Sequence, residues 1–265
     1  MRKLGICTAT LKKGDINDFF SIIKNIGFEA CFTEAFESEI KAAIKAGIEI
    51  DNTHSPFDGI NNMWVEGEPG ETMLRRLKDS IDLCAAYDIK KTVIHLSSGY
   101  HPPRMNDLGF ARYDALVEHA IKKGVTLAFE NQRLLANIAY VFEQYKDVPE
   151  VAFCWDTGHE ICAAGGREYM PLFGHRLACV HLEDNHGSEG PHPDQHILPF
   201  DGIVDWKKAA QRIKNSPYNG PVILECYNHP GSITNYFGYD HLSDEAFYER
   251  AYDAAARIRD LIEKA

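Results

Sequence analysis

The chain has no CxxC pair, no excess of positive charge and no apolar run long enough to cross a membrane. Each absence excludes something. The seven cysteines are odd in number and lie far apart, at Cys7, Cys31, Cys84, Cys154, Cys162, Cys179 and Cys226. Four of them (Cys7, Cys31, Cys154 and Cys179) sit in apolar, strand-like runs, where cysteine behaves as a small hydrophobe. This favours a reducing compartment over a disulfide framework. The opening residues, MRKLGICTATLKKGD, lack the apolar stretch of a secretory signal. A membrane helix needs about 20 consecutive apolar residues, so the expectation is a cytoplasmic protein with no membrane partner. Acidic residues outnumber basic ones 39 to 28, for a net charge of −11. Nucleic acids are gripped by clustered Lys and Arg, so none is expected as a partner. No GxGxxG follows the first apolar run, which argues against a nucleotide cofactor. No linker or low-complexity tract interrupts the 265 residues, and one domain over 1–265 is expected.

What is present is a repeating alternation. Short runs rich in β-branched and apolar residues predict strands over 3–8, 29–33, 48–53, 92–96, 126–130, 151–155, 177–182 and 221–226. Between them, helical spacing predicts helices over 16–26, 38–47, 71–87, 109–124, 135–145 and 205–215, with a last one over 243–265. The sixth connection is weak: HEICAAGG, at 159–166, is short and ends in two glycines. Strand-then-helix repeated eight times in this length predicts an α/β fold, a single (β/α)8 barrel of the TIM type.

In such a barrel the reactive side chains collect at the C-terminal ends of the strands. Here those ends carry His54, His95, Glu130, Asp156, His181 and Glu225 on six successive strands. One histidine or glutamate at a strand end is ordinary; six at one rim are not. Carboxylates crowded into one mouth repel each other and lose solvation, so they need protons or cations. Few basic residues lie beside them, Arg104 and Arg133 being the main exceptions and the candidates to hold an anionic group. A divalent metal fits an oxygen and imidazole set of this kind, whether Mn²⁺, Zn²⁺, Co²⁺ or Mg²⁺. Asp156 is then expected as a ligand, with His159 one short turn beyond it. The loop after the seventh strand adds His186, His192, Asp194 and His196. His186 and His192 read equally well as solvated loop residues, whereas Asp194 and His196, two apart in an extended loop, can face one side together. Trp64, Phe57, Trp155 and Tyr227 are candidates for an apolar wall, although Trp155 should point away from Asp156 into the core.

The segments FEN (129–131), WDTGH (155–159), VHLEDN (180–185), DQHILPFDGIVDW (194–206) and ILEC (223–226) occur in order, preceded by THSP (53–56) and VIHLSSG (93–99). In this combination the chain resembles the xylose-isomerase-like barrel superfamily, particularly its sugar-phosphate isomerases and epimerases. The resemblance implies one divalent metal on Glu130, Asp156, His181 and Glu225. It also implies that Glu130 and Glu225 act as acid and base, moving a proton next to a carbonyl through a metal-stabilised enediolate. His159 then contacts a substrate oxygen, Arg133 is a further substrate-binding candidate, and the substrate is a small keto-sugar, sugar phosphate or polyol. The same superfamily contains zinc-dependent abasic-site endonucleases. Their three-metal pattern is matched by His54, His95 and Glu130, by the four residues above, and by His159, Asp194 and His196. The alternative is thus a multi-zinc phosphoesterase or endonuclease-like hydrolase. The acidic balance favours the isomerase, as do the acidic to neutral segments WVEGEPGE and NHGSEGPHPD. So does PFDG at 199–202, where Phe200 and Asp201 are expected to narrow the pocket. The lysine that follows the first metal glutamate of true xylose isomerases has no counterpart in FENQR, which speaks against a hydride shift. A homo-oligomer covering the acidic rim is left open.

Overall fold

A computed structural model describes residues 1–10, 14–164, 167–187, 194–228 and 239–265. Eight strands alternate with helices. They are β1 (Leu4–Cys7), β2 (Ala30–Glu34), β3 (Glu49–His54), β4 (Lys91–Ile94), β5 (Thr126–Glu130), β6 (Val151–Asp156), β7 (Leu177–His181) and β8 (Val222–Leu224). The helices are α1 (Ile16–Ile26), α2 (Glu37–Ala46), α3 (Glu68–Ala86), α4 (Asp107–Lys123), α5 (Leu135–Gln144), α6 (Thr157–Ala163), α7 (Met170–Phe173), α8 (Trp206–Lys214) and α9 (Asp244–Lys264).

All neighbouring strands pair in parallel, in the order β7-β6-β5-β4-β3-β2-β1-β8. The ring closes just past the end of β7. There the Leu182 N–H donates to the Ile223 carbonyl at 3.0 Å, and the Glu225 N–H donates back to the Leu182 carbonyl at 3.1 Å. This is the expected (β/α)8 barrel.

Side chains alternate along a strand, and that alternation builds the site. The outward set, including Ile94, Leu127, Phe129, Phe153, Trp155 and Val180, belongs to the main core under the helices. The inward set is small: Val93, Ala128, Cys154 and Cys179 form a cluster of their own, and Cys7, Phe32 and Ile223 form another. Two residues beyond six of these seven, Cys7 being the exception, comes a polar group on the same inward face. Val93 leads to His95, Ala128 to Glu130, Cys154 to Asp156, Cys179 to His181, Ile223 to Glu225 and Phe32 to Glu34. Six of the seven cysteines are buried and all seven are free thiols.

Several boundaries differ from expectation. The fourth strand stops at Ile94 and the eighth at Leu224, so His95 and Glu225 are the first residues past their strands rather than within them. At β4 the reason is local: β3 meets it at only two positions, Thr53 with Thr92 and His54 with Val93. The third helix begins at Glu68, earlier than residue 71, with a proline in its first turn, where the missing N–H goes unused anyway. The weak sixth connection is indeed a short helix, started by Asp156, whose side chain accepts from the His159 N–H at 2.6 Å. Among the described residues no helix is long and apolar enough to cross a membrane.

Candidate active site

The inward strand ends converge on Glu130, which is 1% exposed and lies at the centre of the cluster. One carboxylate oxygen faces His95 Nε2 at 2.7 Å and His54 Nε2 at 3.4 Å. The other faces His159 Nδ1 at 3.2 Å and His181 Nδ1 at 3.6 Å. Glu225 Oε2 lies 2.9 Å from His181 Nδ1. The structure thus brings together all nine metal-ligating candidates in three groups, the first two sharing Glu130. They are His54, His95 and Glu130; Glu130, Asp156, His181 and Glu225; and His159, Asp194 and His196. Within each group the ligand atoms fall within 4.8 Å of one another, and every member is buried.

The four-residue group has the chemistry of a cation site. Asp156 Oδ2, Glu225 Oε2 and both ring nitrogens of His181 are buried without a hydrogen-bond partner. His181 Nδ1 and Glu225 Oε2 are close, yet they are not aimed at each other as donor and acceptor. An unsatisfied buried polar group costs about 1–3 kcal/mol, more if charged, so two carboxylate oxygens and an imidazole left this way in one group would be an expensive accident. A divalent ion would satisfy Asp156 Oδ2, Glu225 Oε2 and one ring nitrogen of His181, and the mixed oxygen and imidazole set suits Mn²⁺, Zn²⁺, Co²⁺ or Mg²⁺. The histidines around this centre are pre-oriented for such a role. His54 Nδ1 donates to the Ser55 carbonyl at 2.9 Å, His159 Nδ1 to that of Asn131 at 3.0 Å and His196 Nδ1 to that of Glu225 at 3.0 Å. Each thereby turns Nε2 into the cavity, as metal-binding histidines are commonly held.

Charge is distributed unevenly. Burial pushes Glu130 up, but His95, His159, His181 and His54 together hold it well below the usual carboxylate range. Burial opposes Glu225 too, yet His181 and then His196 bring it down to about 2. Asp156 goes the other way, to about 7, because burial is joined by the charges of Glu130 and Glu225 against the pull of His159. His181 and His159 are raised well above the ordinary imidazole value: burial opposes this, and Glu225 for the first and Asp156 with Asp194 for the second override it. Two buried, ionised glutamates therefore stand at one mouth.

Other expectations fare differently. Arg133 does reach the cluster, but its guanidinium donates to Asp194 Oδ2 and Gln132 Oε1, both at 3.2 Å, and lies over the Tyr100 ring. Arg104 is exposed. Phe57 is 44% exposed, at the mouth, with its ring 4.7 Å from that of His95. Tyr227 stacks on His196 at 4.4 Å and donates its hydroxyl to Glu225 Oε1 at 3.0 Å. Trp155 is core, as expected. Trp64 is also core rather than wall: it is 2% exposed, and its indole donates to the Leu96 carbonyl at 2.8 Å. Phe200 and Asp201 do not narrow the pocket. Phe200 packs on Trp206 under the Arg257 guanidinium, and Asp201 accepts from Tyr239 and Arg250, so both face α9. His186 pairs with Gln195 on its own loop at 3.1 Å, and His192 lies outside the described residues.

Sequence reasoning missed the residues that hold the ligands in place. Asn131 clamps Asp156 by its backbone, donating to the Asp156 carbonyl at 2.8 Å and accepting from its N–H at 2.7 Å. Asp184 accepts from the N–H groups of Asn185, Phe200 and Val204 and from the Trp206 indole, at 2.8–3.0 Å. It thereby ties down the loop that presents Asp194 and His196. Glu183, fully buried beside them, was also overlooked. Their only sequence signal is their place in FEN and HLEDN, next to residues already singled out.

A family model for the xylose isomerase-like TIM barrel matches residues 20–259. Among curated proteins, an uncharacterised protein of Sinorhizobium fredii, y4fM, is 28% identical over 203 residues, which is 71% of this chain and 61% of that protein. The chain therefore spans about three-fifths of that relative's length. Among solved structures, D-psicose 3-epimerase of Clostridium cellulolyticum H10 superposes with a TM-score of 0.77 at 14% identity, covering 98% of this chain and 99% of that one. The 3-keto-D-glucoside 4-epimerase of E. coli gives 0.73 at 17%, covering 98% and 100%. An L-ribulose 3-epimerase gives 0.75 at 14%, covering 100% and 95%. These likenesses establish a shared fold across the whole barrel.

Proposed function

Because the chain belongs to the xylose isomerase-like TIM barrel family, and because its rim holds two buried glutamates around one cluster of unpaired ligand atoms, we propose a divalent-metal-dependent isomerase or epimerase. Its substrate is a small keto-sugar, sugar phosphate or polyol. The observation that carries the reading is the pair Glu130 and Glu225. Both are ionised and buried, both approach His181, and they arrive from strands three positions apart on the ring.

A divalent metal on Glu130, Asp156, His181 and Glu225 would polarise a substrate carbonyl and hold the charge that develops on its oxygen. The protein does the rest. One glutamate, ionised, takes the proton from the carbon beside the carbonyl; the other takes up a proton from solvent and delivers it to the opposite face or to the neighbouring carbon, and the first gives its proton back to solvent. The first outcome inverts a centre, the second moves the carbonyl. Tyr227 fixes the rotamer of Glu225 by its hydroxyl, and Phe57 offers an apolar edge to a sugar ring at the mouth. That three solved barrels of this fold are named as sugar epimerases supports the reading. The free cysteines fit a cytoplasmic enzyme.

Metal-loaded protein incubated with a panel of ketoses and their phosphates in heavy water should incorporate deuterium beside the carbonyl. Failure with the whole panel, together with hydrolysis of phosphate esters, would overturn the proposal. One observation favours that second reading, a multi-zinc phosphoesterase: the nine ligand candidates do gather into three groups. On that reading Asp194→Ala should lose a metal and most of the activity; on the isomerase reading proton exchange should survive it.

A further inference from the structure

Glu183 follows His181 by two positions, and its side chain turns to the same side of the rim. It is 0% exposed, and neither carboxylate oxygen has a hydrogen-bond partner. Its main chain is pinned: the Glu183 N–H donates to Thr157 Oγ1 at 3.0 Å, and that hydroxyl donates to the Glu183 carbonyl at 2.7 Å. The carboxylate lies against Gly158, where any Cβ would overlap it. The close approach at Gly158 is thus what admits an acid at this depth. Its one ion-pair neighbour among the described residues is the His196 ring, at 3.8 Å from Oε1. Across from it, Asp156 is likewise 0% exposed and has Oδ2 unpaired.

Neither protonation state of Glu183 is satisfied by these neighbours. Ionised, it is a buried charge whose one ion-pair neighbour, His196 Nδ1 at 3.8 Å, already donates to the Glu225 carbonyl at 3.0 Å. Protonated, it has an O–H with nothing to donate to. Arg133 does not resolve this, because its guanidinium is engaged by Asp194 and Gln132. Nor does a cation on the four-residue centre, since Glu183 is not part of that group. However, ligand atoms of Asp156, Glu183 and His196 do fall within 4.8 Å of one another.

We propose that Asp156, Glu183 and His196 form a second divalent-cation site, next to the four-residue centre and sharing Asp156 with it. Two carboxylates and one imidazole favour Mn²⁺ or Zn²⁺, with Mg²⁺ held more weakly. Asp156, whose Oδ2 is unpaired while Oδ1 accepts from the His159 N–H, is common to the two groups. The site is independent of the reaction assigned to the enzyme: it stands or falls on metal content.

The test uses Mn²⁺ as the probe. Chelator-treated, full-length wild-type protein is titrated with Mn²⁺ and examined by elemental analysis and electron paramagnetic resonance, beside Glu183→Gln. The wild type should take at least two ions per chain and show a spin-coupled signal. Glu183→Gln should take one fewer and retain the remainder. Equal stoichiometry in the two proteins overturns the proposal. So does a wild type that saturates at one uncoupled Mn²⁺, whatever the variant does. If Glu183→Gln does not fold, Glu183→Asp replaces it: the charge stays, the reach is one methylene shorter, and the same lost ion is expected. Glu225→Gln, measured alongside, separates failure of this site from failure of the four-residue centre.

Discussion

Replacing Glu225 with glutamine removes a proton acceptor while leaving the shape of the site nearly intact. The amide is almost isosteric with the carboxylate, and Tyr227 still finds an oxygen 3.0 Å from its hydroxyl. The charge is gone, however. Burial alone would raise the Glu225 carboxyl, but His181 and His196 hold it at about 2, so the wild-type residue is ionised throughout the neutral range. A glutamine side chain accepts no proton there. Positioned acid–base groups typically contribute about 10²–10⁴-fold, or about 3–5 kcal/mol of barrier at about 1.4 kcal/mol per decade. Deuterium incorporation beside the carbonyl should fall by that factor. The variant also presents a weaker ligand toward His181 Nδ1, now 2.9 Å from Oε2, so exchange is to be measured at saturating metal with the content determined on the same sample. A metal-loaded variant that exchanges within about tenfold of wild type, well short of the typical contribution, would refute the assignment of Glu225 as proton carrier.

Chelation should abolish exchange, and adding a divalent metal should restore it. At a metal concentration about a hundredfold above Kd, loss of the ion costs about 2.7 kcal/mol of stability, visible as a melting midpoint several degrees lower. Gly158→Ala should destabilise the fold by about 1–3 kcal/mol, because the added methyl overlaps the Glu183 carboxylate; urea denaturation at fixed metal reads this, and an unchanged midpoint would contradict the close approach. At the opposite end of the barrel, Lys91 donates to Asp51 Oδ1 at 2.8 Å and to the Ala178 carbonyl at 3.0 Å. Lys91→Met leaves Asp51 without its cation, at a cost of about 3 kcal/mol, the low end for buried pairs, since the lysine side chain keeps 20% of its surface exposed. Burial lowers the Lys91 value, but Cys179 and Asp51 raise it overall. Its contribution is therefore complete below the unfolded value of about 10.4 and fades as pH rises through the raised folded one. Wild-type stability should decline more steeply than that of Lys91→Met above about pH 10.4.

The barrel was legible because its signal is repeated. Eight apolar runs in alternation with helical spacing survive errors at individual ends, and the ends are where the differences fell: β4 and β8 stop one residue before the histidine or glutamate they present. The six strand-end ligands were legible for the same reason, since one rule of barrel geometry addresses all of them at once. Trp64, Phe200 and Asp201 were misread because an aromatic or acid near the rim has two sides to choose from. What decides is the neighbour: Leu96 and Tyr113 take Trp64 inward, and Trp206 with Arg257 takes Phe200 to α9. No spacing along the chain encodes those partners.

Glu183 and Asp184 show how far the alternation reaches. In VHLED the period of two carries past the end of β7: His181 faces the cavity, Leu182 belongs to the core, and Glu183 faces the cavity again. The rule that selected His181 therefore also selects Glu183, provided it is allowed to run one step beyond the strand. Asp184 falls on the opposite parity. It turns to the loop and gathers four N–H donors rather than a cation. Adjacent acids of identical charge and nearly identical shape thus receive opposite tasks from a single difference in parity. What parity does not supply is room, and that comes from Gly158 on the neighbouring strand's helix, 25 positions earlier in the sequence. A side chain there would have forced Glu183 out of the cavity, so the glycine of WDTGH and the glutamate of HLED are one structural decision made in two segments.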